Sequence, residues 1–234
     1  MIALFSRLLI AHLVGDFILF RNEGLKEKGK SLWRSGRLIG YSLTHFALAW
    51  IALWDIHHWA FAAIIGGFHY ISELAIRTLL SRRPQLSFVI DHLLHILLIA
   101  GITMLVSGLS FPLAINISWV AVAGLVAVTF PSAKIIEVFL SQWPPAKSAN
   151  KITGLVNAGL WIGILERILI YIFIVTGHWE GIGFLLAAKS VFRFGDLTNS
   201  KDISLTEYIM VGTLMSFCLA VVAGLIVNYA MNGL

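Results

Sequence analysis

Long apolar runs separated by short polar stretches dominate this sequence. Eight runs lie at about 3–20, 38–54, 60–76, 88–108, 117–140, 154–176, 182–195 and 206–231. All but the seventh come near the roughly 20 residues that an α-helix needs to cross a bilayer, and they lack the two-residue alternation of a transmembrane strand. The pattern predicts an all-α fold, a polytopic helical membrane bundle of about eight transmembrane segments. The seventh run reads as re-entrant or tilted. Pro131 predicts a kink in the fifth, and Gly66-Gly67 and Gly159-xxx-Gly163 predict close helix approach.

Polar residues inside the first four runs recur with one spacing. His12 precedes Asp16 by four residues, His69 precedes Glu73 by four, Asp91 precedes His95 by four, and His45 stands in LTHFAL. Side chains four apart lie on one helix face, one turn above each other. An ionisable residue within a membrane is costly, so each is a functional-site candidate.

Composition supports the membrane reading. The 234 residues are 59% hydrophobic and 12% charged, about half the charge of a soluble domain. Stretch 21–37 holds Arg21, Lys26, Lys28, Lys30, Arg34 and Arg37; 77–87 holds Arg77, Arg82 and Arg83; Lys147, Lys151 and Lys201 follow. The alternate connections, 55–59, 109–116 and 177–181, hold no Lys or Arg. Every basic connection thus falls on one side, the cytoplasmic one, and both termini lie outside. A bacterial cytoplasmic (inner) membrane is expected. Trp54, Trp59, Trp119 and Trp179 then mark the outer interface. The net charge of +5 comes largely from these connections, so no nucleic-acid partner is expected. The first run carries His12 and Asp16 and reads as a span, not a cleavable leader. Cys218 is the single cysteine, which excludes an intrachain disulfide; it reads as a small core residue.

This orientation puts the polar groups at matching depths. His12, His45, His69 and His95 each lie about two turns, roughly 10 Å, from the cytoplasmic boundary, with Asp16, Glu73 and Asp91 one turn nearer it. The order of histidine and acid reverses in the fourth run, which is antiparallel to the first and third. Imidazole nitrogen and carboxylate oxygen are ligands for zinc, manganese or iron. These seven residues are therefore the candidate ligands of one or two divalent metal ions, zinc first, with Glu73 and Asp91 also candidate catalytic bases. A proton or ion pathway and plain interhelical hydrogen bonding use the same residue types. His92 reads as a supporting residue that points elsewhere on its helix. His57, His58, His178, Asp55 and Glu180 read as ordinary outer-loop residues.

In the second half, Glu166 and Arg167 lie mid-membrane, and Lys189 and Arg193 one turn apart. Pairing of Glu166 with Arg167 or Lys189 is the simpler expectation. The functional alternative is a substrate-binding anion pocket of Lys189, Arg193, Glu166 and Arg167 for a phosphate or lipid head group. The chain is thus read as one integral domain, with a metal-binding half, 1–108, and a supporting half, 109–234. No P-loop, GxSxG or HExxH occurs, and the His/acid pattern does not recur as an internal repeat.

The stretches AHLVGDFILF, LTHF, GGFHYISELAI and FVIDHLLHILL, with LERILIYIFIVTGHWEGIGFLLAAKSVFRFGDL and EYIMVGTLMSF later, resemble a bacterial family of multi-pass membrane proteins, domain of unknown function 3307. His12, Asp16, His45, His69, Asp91, His95, Glu166, Arg167, Lys189, Ser190 and Arg193 match its polar positions. The family more often has aspartate where this chain has Glu73. The resemblance implies a polytopic membrane protein and no particular activity. Membrane-embedded HxxxD pairs also give a looser similarity to membrane-bound metal-dependent hydrolases.

The expectation is a membrane-embedded, metal-dependent hydrolase of a lipid or isoprenoid phosphate-type substrate, reached from the cytoplasmic leaflet. A divalent ion would activate water at neutral pH. The alternatives are an ion or metal transporter using the same cluster and a di-iron membrane oxidoreductase, which lacks here its usual Glu-x-x-His pairs. Lipid is the expected partner, and a homo-oligomer is compatible with the sequence.

Overall fold

The structure, a computed structural model, describes residues 1–20, 36–80, 83–107, 118–143, 157–199 and 203–232; the side chains of 192–199, 203–205 and 232 lie outside it. Most of the basic residues that set the expected orientation (Arg21, Lys26, Lys28, Lys30, Arg34, Arg82, Lys147, Lys151 and Lys201) are outside the described residues.

Every regular element among the described residues is helical. In order they are α1 (Ile2–Val14), a wider π turn (Gly15–Leu19), α2 (Gly36–Leu53), a short 3-10 turn (Ile56–His58), α3 (Trp59–Leu79), α4 (Pro84–Val106), α5 (Trp119–Ala127), α6 (Phe130–Leu140), α7 (Ala158–Val175), α8 (Trp179–Asn199) and α9 (Ile203–Asn232). They fall into two compact units, Met1–Val126 and Ala127–Leu234.

Among the described residues, six stretches are long and apolar enough to cross a membrane: Ile2–Leu19, Ile56–Leu79, Pro84–Val106, Trp119–Leu140, Ala158–Val175 and Thr206–Met231. The chain is a membrane protein. The other two expected spans form helices but are less apolar. Arg37, Tyr41, Ser42, Thr44 and His45 dilute α2, and Glu180, Lys189, Arg193 and Asp196 dilute α8.

In the first unit α1 packs on α2, α2 on α3, α3 on α4 and α4 back on α1, closing a ring of four helices. Local sequence sets the ends. Trp54 takes a left-handed φ of 59° and stops α2, and Pro84, with no N–H to leave unpaired, opens α4. One end of the ring is mainly apolar: Leu8, Leu53, Ala62, Ile65, Ile99 and Val106 fill it. The other end, one or two turns along each helix, holds the histidines. Gly66 lets α2 and α3 touch: a Cβ there would lie 2.8 Å from Phe46 Cβ and 2.9 Å from the Ser42 carbonyl oxygen. Ser42 Oγ bridges the contact by donating to the Gly66 carbonyl at 2.6 Å.

In the second unit α7 packs on α9 through Ile170, Ile174, Phe217 and Ala220. The kink expected at Pro131 is a full break between α5 and α6 at Val128–Thr129. Cys218, expected in the core, is exposed on α9.

Candidate metal centre

Four residues converge at the polar end of the first unit. One ligand atom each from His12, Asp16, His45 and His69 can be chosen so that all lie within 4.8 Å of one another. The three histidines are 3%, 2% and 0% exposed. His12 comes from α1, Asp16 from the π turn, His45 from α2 and His69 from α3.

The local sequence builds this convergence. Phe20 N–H reaches back five residues to the Gly15 carbonyl at 3.2 Å, which widens the turn that carries Asp16. Gly15 itself lies under the His45 ring. A Cβ at that position would come 2.8 Å from His45 Nε2 and 3.0 Å from Nδ1, closer than real Cβ contacts. Gly15→Ala is expected to push the ring away and weaken metal binding by about 10–100-fold, the range for losing a group that orients a ligand. Competition against a chelator measures this, with helix content by circular dichroism as the folding control.

The donor atoms lie close together. His45 Nε2 is 2.8 Å from Asp16 Oδ1, His12 Nδ1 is 3.1 Å from His69 Nε2, and His12 Nδ1 is 3.5 Å from Asp16 Oδ2. Donors held about 2.0–2.2 Å from a tetrahedral ion are roughly 3.3–3.6 Å apart, a spacing the third pair has and the first two fall short of. His45 Nε2, although close to Asp16, makes no hydrogen bond, and His12 Nε2 is likewise buried without a partner. Buried unpaired nitrogens are costly unless something absent from the protein itself meets them. Other contacts orient the donors. His69 Nδ1 donates to the Ile65 carbonyl at 2.8 Å, so its Nε2 lone pair faces the group, where it accepts from His12 Nδ1 at 3.1 Å. Tyr41 O–H donates to Asp16 Oδ1 at 2.6 Å. The cluster could hold a metal ion.

His95 and Asp91 lie beside this group. The His95 ring stacks on His69 with centroids 3.9 Å apart, and His69 stacks on His45 at 3.8 Å. His95 Nε2 is 2.9 Å from Ser72 Oγ. Its Nδ1 faces Asp91 Oδ1 at 3.7 Å, and both atoms are buried without a hydrogen bond. Glu73 is directed elsewhere, to an ion pair with Arg77 one turn along α3. His92 points into the cluster: its Nε2 is 3.5 Å from Asp16 Oδ2. Sequence reasoning set it aside because it adjoins Asp91, but residues 92 and 95 are three apart and share a helix face. Tyr41 and Ser72 were missed as well; the available signal was their spacing, four before His45 and three after His69.

The second-half candidates have structural partners. Arg167 is 2% exposed and donates through Nε to the Val128 carbonyl at 2.6 Å, through Nη2 to the Thr129 carbonyl at 3.1 Å and through Nη1 to Ser216 Oγ at 3.1 Å. Ser132 Oγ takes the Ala127 carbonyl at 2.8 Å. These side chains satisfy the carbonyls that the α5–α6 break releases. Gly163 makes room for the guanidinium, a Cβ there lying 3.1 Å from Nη1, while Gly159 has nothing near it. Gly163 thus houses Arg167, and neither glycine draws two helices together. Glu166 pairs with Lys189, whose Nζ also lies 5.6 Å from the Phe217 ring centroid. The Arg193 side chain lies outside the described residues.

Outside the spans, Asp55 accepts the His57 backbone N–H at 2.9 Å. That bond, more than any other contact, holds its carboxyl below the ordinary range. His57 is largely exposed, as an interfacial loop residue would be.

A family model described as "Protein of unknown function (DUF3307)" matches residues 4–122. No curated protein and no solved structure matches. The matched range contains His12, Asp16, His45, His69, Asp91, His92 and His95 and stops short of the later stretches in which the resemblance was also read.

Proposed function

The chain belongs to the DUF3307 family, whose description carries no activity, and from its own residues we propose a membrane-embedded, metal-dependent hydrolase of a lipid or isoprenoid phosphate-type substrate. The observation that carries the reading is the buried His12, Asp16, His45 and His69 group, drawn from three helices and one π turn of a membrane protein. A divalent ion there, zinc being the default for such donors, would supply a Lewis acid and activated water near neutral pH. Asp91 and His95 stand next to the ligands with unpaired buried atoms facing each other, which suits a proton acceptor. Asp91 therefore takes the general-base role, since Glu73 is held by Arg77. The distribution of basic residues supports a site open to the cytoplasmic leaflet of a bacterial inner membrane, with both termini outside.

A transporter reading gains no support from the broken span Trp119–Leu140. Broken helices in transporters offer free carbonyls to an ion, whereas Arg167 and Ser132 occupy these. The di-iron reading is not favoured either, because the group holds one carboxylate to three imidazoles.

The test is phosphate release from a polyprenyl phosphate by the purified chain in detergent, with and without chelation. Release should need the metal, and Asp91→Asn should lower kcat by about 10²–10⁴-fold, the contribution of a general base, with metal content unchanged. Release that survives chelation, or an Asp91→Asn protein as fast as its parent, would sink the hydrolase reading.

A further inference from the structure

A cavity of about 400 Å³ opens where α2 passes into α3, lined by Trp50, Ile51, Trp54, Asp55 and Ile56. His45 stands nine residues before Trp54, about 13 Å along a helix, so the cavity is separate from the metal centre. Both indoles are exposed, and so are Ile51 and Ile56. The polar wall is Asp55. Its Oδ1 accepts the His57 backbone N–H at 2.9 Å and lies 3.0 Å from the His57 ring Nδ1, while Oδ2 has His58 Nδ1 at 3.5 Å. The two oxygens of a carboxylate offer about four acceptor positions, so Oδ2 has capacity left. No lysine or arginine occurs between Arg37 and Arg77, which lie at the far ends of α2 and α3. The charge of Asp55 therefore meets no basic side chain longer than histidine from either helix.

The membrane-crossing stretch of α3 starts at Ile56. The cavity thus lies where a span ends and lipid head groups begin. An indole face attracts a cation, and a carboxylate both attracts one and accepts its N–H. The same carboxylate repels an anionic head group. We propose that this cavity binds the primary ammonium of a zwitterionic phospholipid of the phosphatidylethanolamine type. The ammonium donates to Asp55 and lies against Trp50 and Trp54, while Ile51 and Ile56 take the apolar part of the lipid. Interfacial tryptophans face head groups in general; the carboxylate shared by two of them in one concave site is what selects the amine here.

Native mass spectrometry of the full-length chain in detergent tests this, with phosphatidylethanolamine and phosphatidylglycerol titrated separately. The wild type should take one phosphatidylethanolamine at least about 10-fold more tightly than phosphatidylglycerol, the low end for a hydrogen bond to a charged group. Asp55→Asn keeps an oxygen for the His57 N–H and removes the charge, so it should abolish that preference. Trp54→Leu should weaken phosphatidylethanolamine by about 2–30-fold, the range for a cation on one indole. Trp143→Leu, which removes an exposed indole beyond α6, should leave it unchanged. Equal affinity for the two lipids in the wild type overturns the proposal whether or not the variants fold. So does a preference that survives Asp55→Asn, or one that Trp143→Leu lowers as much as Trp54→Leu. A dimer that forms in place of the lipid adduct and dissociates in Trp54→Leu also overturns it, and assigns the cavity to a second copy of the chain.

Discussion

Purified His69→Ala protein is expected to carry no stoichiometric metal where the wild type carries it, with affinity lowered by at least about 100-fold. Removing a group that only orients a ligand already costs roughly 10–100-fold, and His69 is itself one of the four donors. It is fully buried, its Nδ1 is anchored to Ile65, and its ring lies between those of His45 and His95. The substitution also opens space between two rings, so a folding loss has to be separated from a binding loss. Asp16→Asn does this. It keeps the size of the side chain and an oxygen that can accept from Tyr41, but removes the charge that favours a cation. It should lose metal to a similar degree with its helix content intact. His57→Ala, in an exposed loop, and Lys189→Ala, paired with Glu166 in the other unit, should retain wild-type metal. Elemental analysis of the purified proteins measures all four. If the wild type holds no more metal than His69→Ala, the centre has no basis.

Period and spacing made the group partly legible before any coordinates. A four-residue step fixes a helix face, and the alternating direction of successive spans converts position along the chain into depth. Together these put His12, His45, His69 and His95 at one level, and the structure places their rings in contact. Depth does not fix direction around the helix axis, which is where the reading was incomplete. Glu73 has a histidine one turn behind it and Arg77 one turn ahead, and the full positive charge takes it. His92 was judged by its distance from Asp91 when its angular neighbour is His95. The π turn after Val14 has no sequence signature beyond Gly15, because what it serves, the passage of the His45 ring, lies on another helix. Tyr41 and Ser72 are ordinary residues in apolar helices. Only the partners brought to them, Asp16 and His95, give them meaning. In the second half the charged residues were legible as buried and in need of partners, but backbone carbonyls as the partners of Arg167 could not be read from charge pattern.

Arg167→Leu is expected to destabilise the protein by about 1–3 kcal/mol, the range for leaving a buried polar group without its partner. The guanidinium serves two carbonyls at the break between α5 and α6, Val128 and Thr129, of which Thr129 also accepts the Ala133 backbone N–H at 3.2 Å. Without it the Val128 carbonyl loses this partner, at about 1–3 kcal/mol for a buried group left unpaired. Water cannot enter freely to replace the bonds within a membrane span. Arg167→Lys should fall between the two proteins: a single ammonium reaches one carbonyl, but it lacks the planar fork that spans both. Unfolding in mixed detergent, followed by helix content, ranks the three. Every proposed metal donor lies in Met1–Val126, so the folded fraction of each variant should bind metal as the wild type does. The substrate-binding role once open to Arg167 predicts the reverse pattern, unchanged unfolding with a raised KM. That outcome would mean the broken span is held by something other than this side chain.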